Sequence, residues 1–271
     1  MAGKHFWGRM LLLGGAVLLL WTGEAEKKAH YYPGYAQEDL REYLEKDVLE
    51  PEDYREIYRQ TGLGRAGVEQ LWQENSREKL LFLQERFFAP VEYRCSRSHF
   101  LCHSERLTGA SREETAGDFA PAMQTGDVLV TFSGHIFGWR SGHAALVVDG
   151  EQGLTLEAMA PGKSSGIRTL ESWRGYPGFV LLRWKNLSGE QAEEMVAYAR
   201  ENLTDIPYDL FSMTVVGEAD EISGTQCAHL VWAAFHHLGL ELNSGRLFVT
   251  PGDIFRNENL EIVQIYGLEP G

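Results

Sequence analysis

The sequence predicts an α+β protein whose main domain carries an antiparallel sheet and is preceded by a small helical region. Two observations lead there. After Gln124, short β-branched and apolar runs follow one another at Val128 to Phe132, Ala144 to Val148, Leu154 to Met159 and Phe179 to Trp184, flanked by helices but without strict strand-helix alternation. Before that, from Gln37 to Phe88, apolar residues such as Leu40, Tyr43, Leu44 and Val48 recur three or four apart among many charges, which is helical spacing.

Taken in chain order, the pattern divides into residues 1–25, 26–117 and 118–271. In the first segment Lys4 and Arg9 precede an apolar run from Met10 to Trp21, and Gly23, Glu24 and Ala25 stand at cleavage spacing, so a signal peptide or signal anchor is expected. The run has about a dozen residues against the roughly 20 of a spanning helix. The chain is therefore expected to be secreted or extracytoplasmic, with no permanent span beyond this possible anchor. Residues 26–117 read as two or three amphipathic helices, Asp53 to Gln60 and Gly67 to Phe88 among them, broken at Gly62 and Gly64 and followed by a polar linker from Ser104 to Gly117. In residues 118–271, Asp149, Gly150 and Gly153 are turn residues that join the strand of His143 to that of Glu157 in a hairpin. Ser188 and Gln191 form a capping box for a helix to about Asn202, and Thr225 is the expected N-cap of a helix that Gly239 ends.

The composition bounds the function. With 271 residues, 44% hydrophobic and 24% charged, the chain is long enough for one core plus an appendage. Its 25 basic and 39 acidic residues give a net charge of -14, which repels phosphate backbones and argues against nucleic acid as a partner.

Three cysteines are present. Outside the cytoplasm Cys95 and Cys102 are close enough in sequence to close a short disulfide loop. Cys95, His99, Cys102 and His103 are also all possible zinc ligands, although their spacing fits no common zinc motif, and two structural thiols are the third reading. Cys227 is left over. It lies in the first turn of its helix, where unsatisfied N–H groups and the macrodipole favour the thiolate, the reactive form of the thiol. Of nine histidines, His143 is the candidate base, because Gly142 lets the backbone pass closely and Ala144, Leu146 and Val148 set it in a half-buried strand. His236 and His237 lie two turns or more along the helix of Cys227 and cannot reach the thiol. Glu157 on the next strand can orient the imidazole.

These residues sit in recognisable surroundings. Gly126-Asp127-Val128-Leu129, the block Gly142 to Gly150 that opens Gly142-His143-Ala144, and Leu156-Glu157-Ala158 resemble the histidine region of NlpC-type cysteine peptidases. Ile206-Pro207-Tyr208-Asp209 and Gln226-Cys227-Ala228-His229-Leu230-Val231-Trp232 are similar to that family's nucleophile region. The order is inverted, with His143 and Glu157 before Cys227, and so resembles the permuted branch that includes the YiiX-like hydrolases and the lecithin retinol acyltransferase group. The resemblance covers about Gly126 to Leu260 and implies a permuted papain-like domain with Cys227 as nucleophile, His143 as base, Glu157 as orienting group and Tyr208 as a residue lining the site. Gln226 stands where the ordinary family has Asp, and Ala228-His229 replaces Ser-Gly.

The expected activity is hydrolysis of an amide or ester bond through a thioacyl intermediate, with a cell-wall peptide, such as a peptidoglycan stem peptide, as the leading substrate. Hydrolysis or transfer of a lipid acyl chain and a non-catalytic envelope binding module are the alternatives. Trp139 and Arg140 are expected to flank the cleft, Arg140 reading a substrate carboxylate as a planar fork. Arg168, Trp173 and Arg174 carry a weaker expectation of the same kind, with an ordinary surface role weighing more. No cofactor and no metal are called for.

Overall fold

The apolar runs after Gln124 alternate their side chains between two faces, and both faces are covered. In the computed structural model, which describes residues 15, 30–97, 102–109, 119, 122–136, 139–212, 222–243 and 248–270, the order of elements begins with four helices. These are α1 (Arg41–Leu44), α2 (Pro51–Thr61), α3 (Arg65–Gln73) and α4 (Lys79–Phe88). Strands β1 (Tyr93–Arg97), β2 (Cys102–Leu107), β3 (Val128–Thr131), β4 (Gly134–Ile136), β5 (Trp139–Arg140), β6 (His143–Asp149), β7 (Leu154–Glu157) and β8 (Gly166–Thr169) follow. The chain continues through α5 (Glu171–Arg174), β9 (Phe179–Trp184), α6 (Gly189–Asn202), α7 (Cys227–His237), α8 (Pro251–Phe255) and β10 (Leu260–Tyr266). The expected signal segment lies, but for residue 15, outside the described residues. Among the described residues no helix is long and apolar enough to cross a membrane.

The chain is thus an α+β protein with antiparallel sheets. The larger sheet has the order β10-β9-β3-β6-β7-β8, and every neighbouring pair in it is antiparallel. Val128, Val130, Ala144, Leu146, Val180 and Leu182 point to one face, where Met195 and Ala199 of α6 and Val231 and Phe235 of α7 close the core. The residues between them, Leu129, Ala145, Val147 and Leu181, fill a second cluster with Trp173 and Phe179 on the other face. A sheet buried on both sides reads as continuous apolar runs, which is how β6 reads.

The helical region is fastened to the edge of this sheet. Gly62 O accepts from Ile265 N–H at 2.7 Å and Gly64 N–H donates to Val263 O at 3.0 Å, so the turn between α2 and α3 pairs with β10 and covers an edge that would otherwise be open. The two glycines are required there: a Cβ on Gly62 would stand 2.1 Å from Ile265 O, and one on Gly64 would stand 1.7 Å from Ile262 O. A buried ion pair completes the attachment. Arg183 of β9 donates from Nε to Asp127 Oδ1 at 2.7 Å and from Nη2 to Oδ2 at 2.8 Å, while its Nη1 reaches Gln70 of α3 at 3.0 Å.

Several sequence expectations change. The helix expected from Gly67 to Phe88 is divided into α3 and α4, because Asn75 takes a left-handed conformation (φ 53°) after the α3 cap and turns the chain. Cys102–Leu107, which overlaps the start of the expected linker, is a strand: with β1, β4 and β5 it forms a second sheet of order β1-β2-β4-β5. The helix of Cys227 is capped by Gln226 rather than Thr225, its side-chain carbonyl accepting the Ala228 N–H at 3.0 Å. The Cys95–Cys102 disulfide is corrected by strand register. Cys95 faces Glu105, three residues beyond Cys102, which sets the two Cα atoms roughly 10 Å apart along the hairpin. A disulfide needs less than about 7 Å. Of the alternative zinc set, His99 lies outside the described residues, and among those described no group of three or more His, Cys, Asp or Glu side chains is placed to hold a metal.

The Asp127–Arg183 pair is buried and joins three elements, whereas Arg55 and Glu52 form an exposed pair on α2. Arg183→Ala is expected to lower folding stability by about 3–5 kcal/mol, since it leaves a carboxylate buried and unpaired. Arg55→Ala is expected to leave the urea midpoint unchanged.

Candidate active site

Three elements distant in sequence converge on one cleft of about 540 Å³, whose walls include Cys227, His143, Tyr208 and Gln226. Cys227 is the first residue of α7, and that helix is held by its buried face, Leu230, Val231 and Ala234. The Gln226 side chain fixes the tip. Its Oε1 accepts from Ala228 N–H and lies 3.4 Å from the Cys227 sulfur, and its Nε2 donates to Val249 O at 3.3 Å. The N–H of Cys227 has no acceptor within the helix and remains directed out of its first turn.

His143 opens β6 opposite Thr131 of β3. Gly142 before it has φ 77°, and a Cβ there would stand 2.7 Å from Thr131 O, so only glycine brings the histidine to this place without strain. The ring is nearly enclosed, and its Nε2 lies 2.7 Å from Glu157 Oε2. That leaves Nδ1 for the polar contact with Cys227. Burial opposes a charge on the ring, but the contacts with Cys227 and Glu157 outweigh it and hold the imidazolium well above its ordinary range.

Glu157 ends β7 and is 1% exposed. Burial pushes its carboxyl upward, yet His143, Thr155 and Trp173 together hold it below the usual carboxylate value, and it is ionised. Its Oε1 accepts from Thr155 Oγ1 at 2.6 Å and from Trp173 Nε1 at 3.1 Å. Trp173 also stacks on His143, with ring centroids 5.5 Å apart and planes 20° apart. Trp173 is thus fully buried, which corrects the expectation of a surface role. Thr155 did not stand out in the sequence either, although it shares a face of β7 with Glu157 two positions on.

The remaining expected residues take different places. Tyr208 lines the cleft, its N–H bonded to Lys163 O at 2.9 Å, and burial, with the Cys227 charge next in weight, raises its phenol so that it stays protonated. Trp139 and Arg140 also lie on the cleft wall. The guanidinium fork of Arg140, expected to read a substrate carboxylate, is occupied by Glu105: Nη2 to Oε1 at 2.5 Å and Nη1 to Oε2 at 3.0 Å. His135 Nε2 shares the same carboxylate at 2.9 Å. His229, in the first turn of α7, is engaged by other partners. Its Nδ1 lies 3.1 Å from Thr225 Oγ1, its ring stacks on Trp232, and burial lowers its pKa to about 4, against a smaller upward pull from Asp209.

Comparison with known proteins adds little to this geometry. No family model matches the chain, and no curated protein matches it. Among solved structures it is similar to one described as metalloprotein yiiX from Escherichia coli O157:H7, with 17% sequence identity and a TM-score of 0.41, over 52% of this chain and 97% of that one.

The lowered His229 value has a consequence for stability. The unfolded imidazole titrates near 6.5 and the folded one near 4, so between these values the unfolded chain binds more protons. Stability from this group is complete above pH 6.5 and falls as the pH drops toward 4, by about 3 kcal/mol at most. In urea unfolding, His229→Gln is expected to lose less stability than the parent over that interval by a comparable amount; equal losses would show that His229 is protonated in the fold.

Proposed function

We propose that the chain is a cysteine hydrolase of the permuted papain-like kind, with Cys227 as nucleophile, His143 as base and Glu157 as the group that orients His143. One observation carries this reading: a single buried imidazole bridges a carboxylate that is saturated with hydrogen bonds and a thiol at a helix tip, and all of this opens on a cleft.

The geometry supports the following course. His143 Nδ1 takes the proton of Cys227, and the sulfur attacks the carbonyl carbon of an amide or ester. The carbonyl oxygen becomes an anion, met by the Cys227 N–H and by the protonated Tyr208 hydroxyl at the same cleft; such a donor contributes roughly 3 kcal/mol when well aimed. The imidazolium passes its proton to the leaving amine or alkoxide, the carbon–nitrogen or carbon–oxygen bond breaks, and a thioester remains. Water, deprotonated by His143, then attacks the thioester, releasing the acid and restoring the thiol. Glu157 holds the ring in the tautomer that directs Nδ1 at the sulfur throughout.

An exported amidase or endopeptidase acting on cell-wall peptides is the leading form of this proposal, with residues 1–25 as the export segment. The lipid acyl reading is favoured by a specific feature: Phe132, Ile136, Trp139, Met159 and Leu210 give the cleft apolar walls able to take an acyl chain.

The test is turnover of purified muropeptides and of phospholipids, each alongside Cys227→Ala and His143→Ala. His143→Ala is expected to lower kcat by about 10²- to 10⁴-fold, and Cys227→Ala to abolish the thioester that mass spectrometry would detect on the parent protein. Activity retained by Cys227→Ala would remove the mechanism. A Cys227 that iodoacetamide leaves untouched in the folded protein at neutral pH would favour a binding module instead.

A further inference from the structure

The charge of the cleft opposes the charge of the chain. The protein has 39 acidic and 25 basic residues, yet the described residues lining the cleft include Arg106, Lys163 and Arg256 in addition to Arg140, and no aspartate or glutamate. Arg140 is offset by Glu105. Among the described residues the carboxylate contact of Arg256 is a long, exposed one with Asp253 at 3.9 Å. Arg106 and Lys163 have no carboxylate within ion-pair distance among the described residues.

Of the three that Glu105 does not neutralise, Arg106 is the most constrained. It lies on β2, its guanidinium centred 3.7 Å from the Tyr176 ring, with Nε 3.3 Å from Ser104 Oγ and Nη1 2.5 Å from Ser172 O. Nη2 is left without an acceptor among the described residues. Tyr176 packs edge-on against Trp173, and Trp173 stacks on His143, so the arginine is fixed relative to the catalytic ring through two aromatic contacts. A cation held in one orientation on a low-dielectric wall, already partly stripped of water and with no carboxylate partner among the described residues, is prepared to bind an anion without further ordering. In a chain of net charge -14, a cleft lined by basic side chains also draws anionic molecules to itself against the charge of the chain as a whole.

We propose that the cleft selects substrates bearing an anionic group, a carboxylate or a phosphate, beside the scissile bond, and that Arg106 is the side chain that reads it. This inference rests on the hydrolase reading above and narrows its substrate class. It applies equally to a peptide with a free carboxylate and to an acyl donor with a phosphate head group, and the test separates the two.

Cys227 can be alkylated by iodoacetate, an anion, or by iodoacetamide, its neutral counterpart, and intact-mass measurement gives the two rates. The ratio of iodoacetate to iodoacetamide rates is expected to be about tenfold higher in the parent than in Arg106→Gln, the size of one charge-assisted hydrogen bond. His143 is present in both proteins and cancels from the comparison. In the parent alone the ratio is expected to fall as salt rises to about 1 M, where screening is nearly complete. A ratio that neither the substitution nor salt changes overturns the proposal.

Thermal melting of the folded protein with acetate or with inorganic phosphate, against chloride at matched ionic strength, provides the second arm. The anion that raises Tm in the parent but not in Arg106→Gln identifies the preferred group, and no rise with either overturns the proposal. Should Cys227 react with neither reagent, the hydrolase reading fails, while the melting shift still decides the anion proposal.

Discussion

The hydrogen bond between His143 Nε2 and Glu157 Oε2 is the contact on which the site depends. An ionised carboxylate in the interior is unfavourable unless its oxygens are satisfied, and Glu157 meets that condition with three donors: an imidazole, a threonine hydroxyl and an indole. Once its position is fixed, only one nitrogen of His143 remains for the sulfur. The hairpin of β6 and β7 carries both partners, so their mutual placement is part of the sheet rather than of a loop. Cys227 comes from elsewhere in the chain and needs only the tip of one well-packed helix to meet them.

The rest of the molecule holds that arrangement in place from two sides. On one face of the large sheet, α6 and α7 bury a continuous apolar core, which sets the direction of the helix that presents the thiol. On the other, Trp173 belongs both to the core and to the site, so core packing and the orientation of the His143 ring share one contact. The helical region covers the β10 edge through Gly62 and Gly64 and is tied to β3 and β9 through the Gln70, Arg183 and Asp127 contacts. Asp127, part of the motif that carries the resemblance, is bonded to Arg183 and to the Gln124 N–H and does not line the cleft. The second sheet supplies the far wall of the cleft. Its buried Glu105 neutralises Arg140 and engages His135, and Arg106 is left as the oriented cation.

Much of this was legible in local sequence. Ser188 and Gln191 announce a capping box that is made with both bonds, and the β9 run from Phe179 to Trp184 is a strand over those same bounds. Other parts were not. The strands β1, β2 and β4 are short and polar, so their pairing comes from neighbours and not from an alternation visible in the chain. Trp173 looked like a surface aromatic because a four-residue helix shows no period from which to read its buried side. Arg140 looked available because its counter-ion, Glu105, is 35 positions away and on another strand. Gln226 displaced Thr225 as the cap because its longer amide reaches both the helix N–H and the Val249 carbonyl, a partner 23 positions on.

What the sequence determined by itself were the elements and their chemical content: strands where apolar side chains run on, helices where they recur by turns, a thiol at one helix start and a histidine behind a glycine. These follow from interactions spanning a few residues, which local pattern records. The tertiary structure alone decided which carboxylate meets which cation, which faces of the strands turn inward, and that Cys95 and Cys102 stand out of register for a bridge. Each of those depends on distances between segments far apart in the chain, and such distances exist only after the sheets have closed.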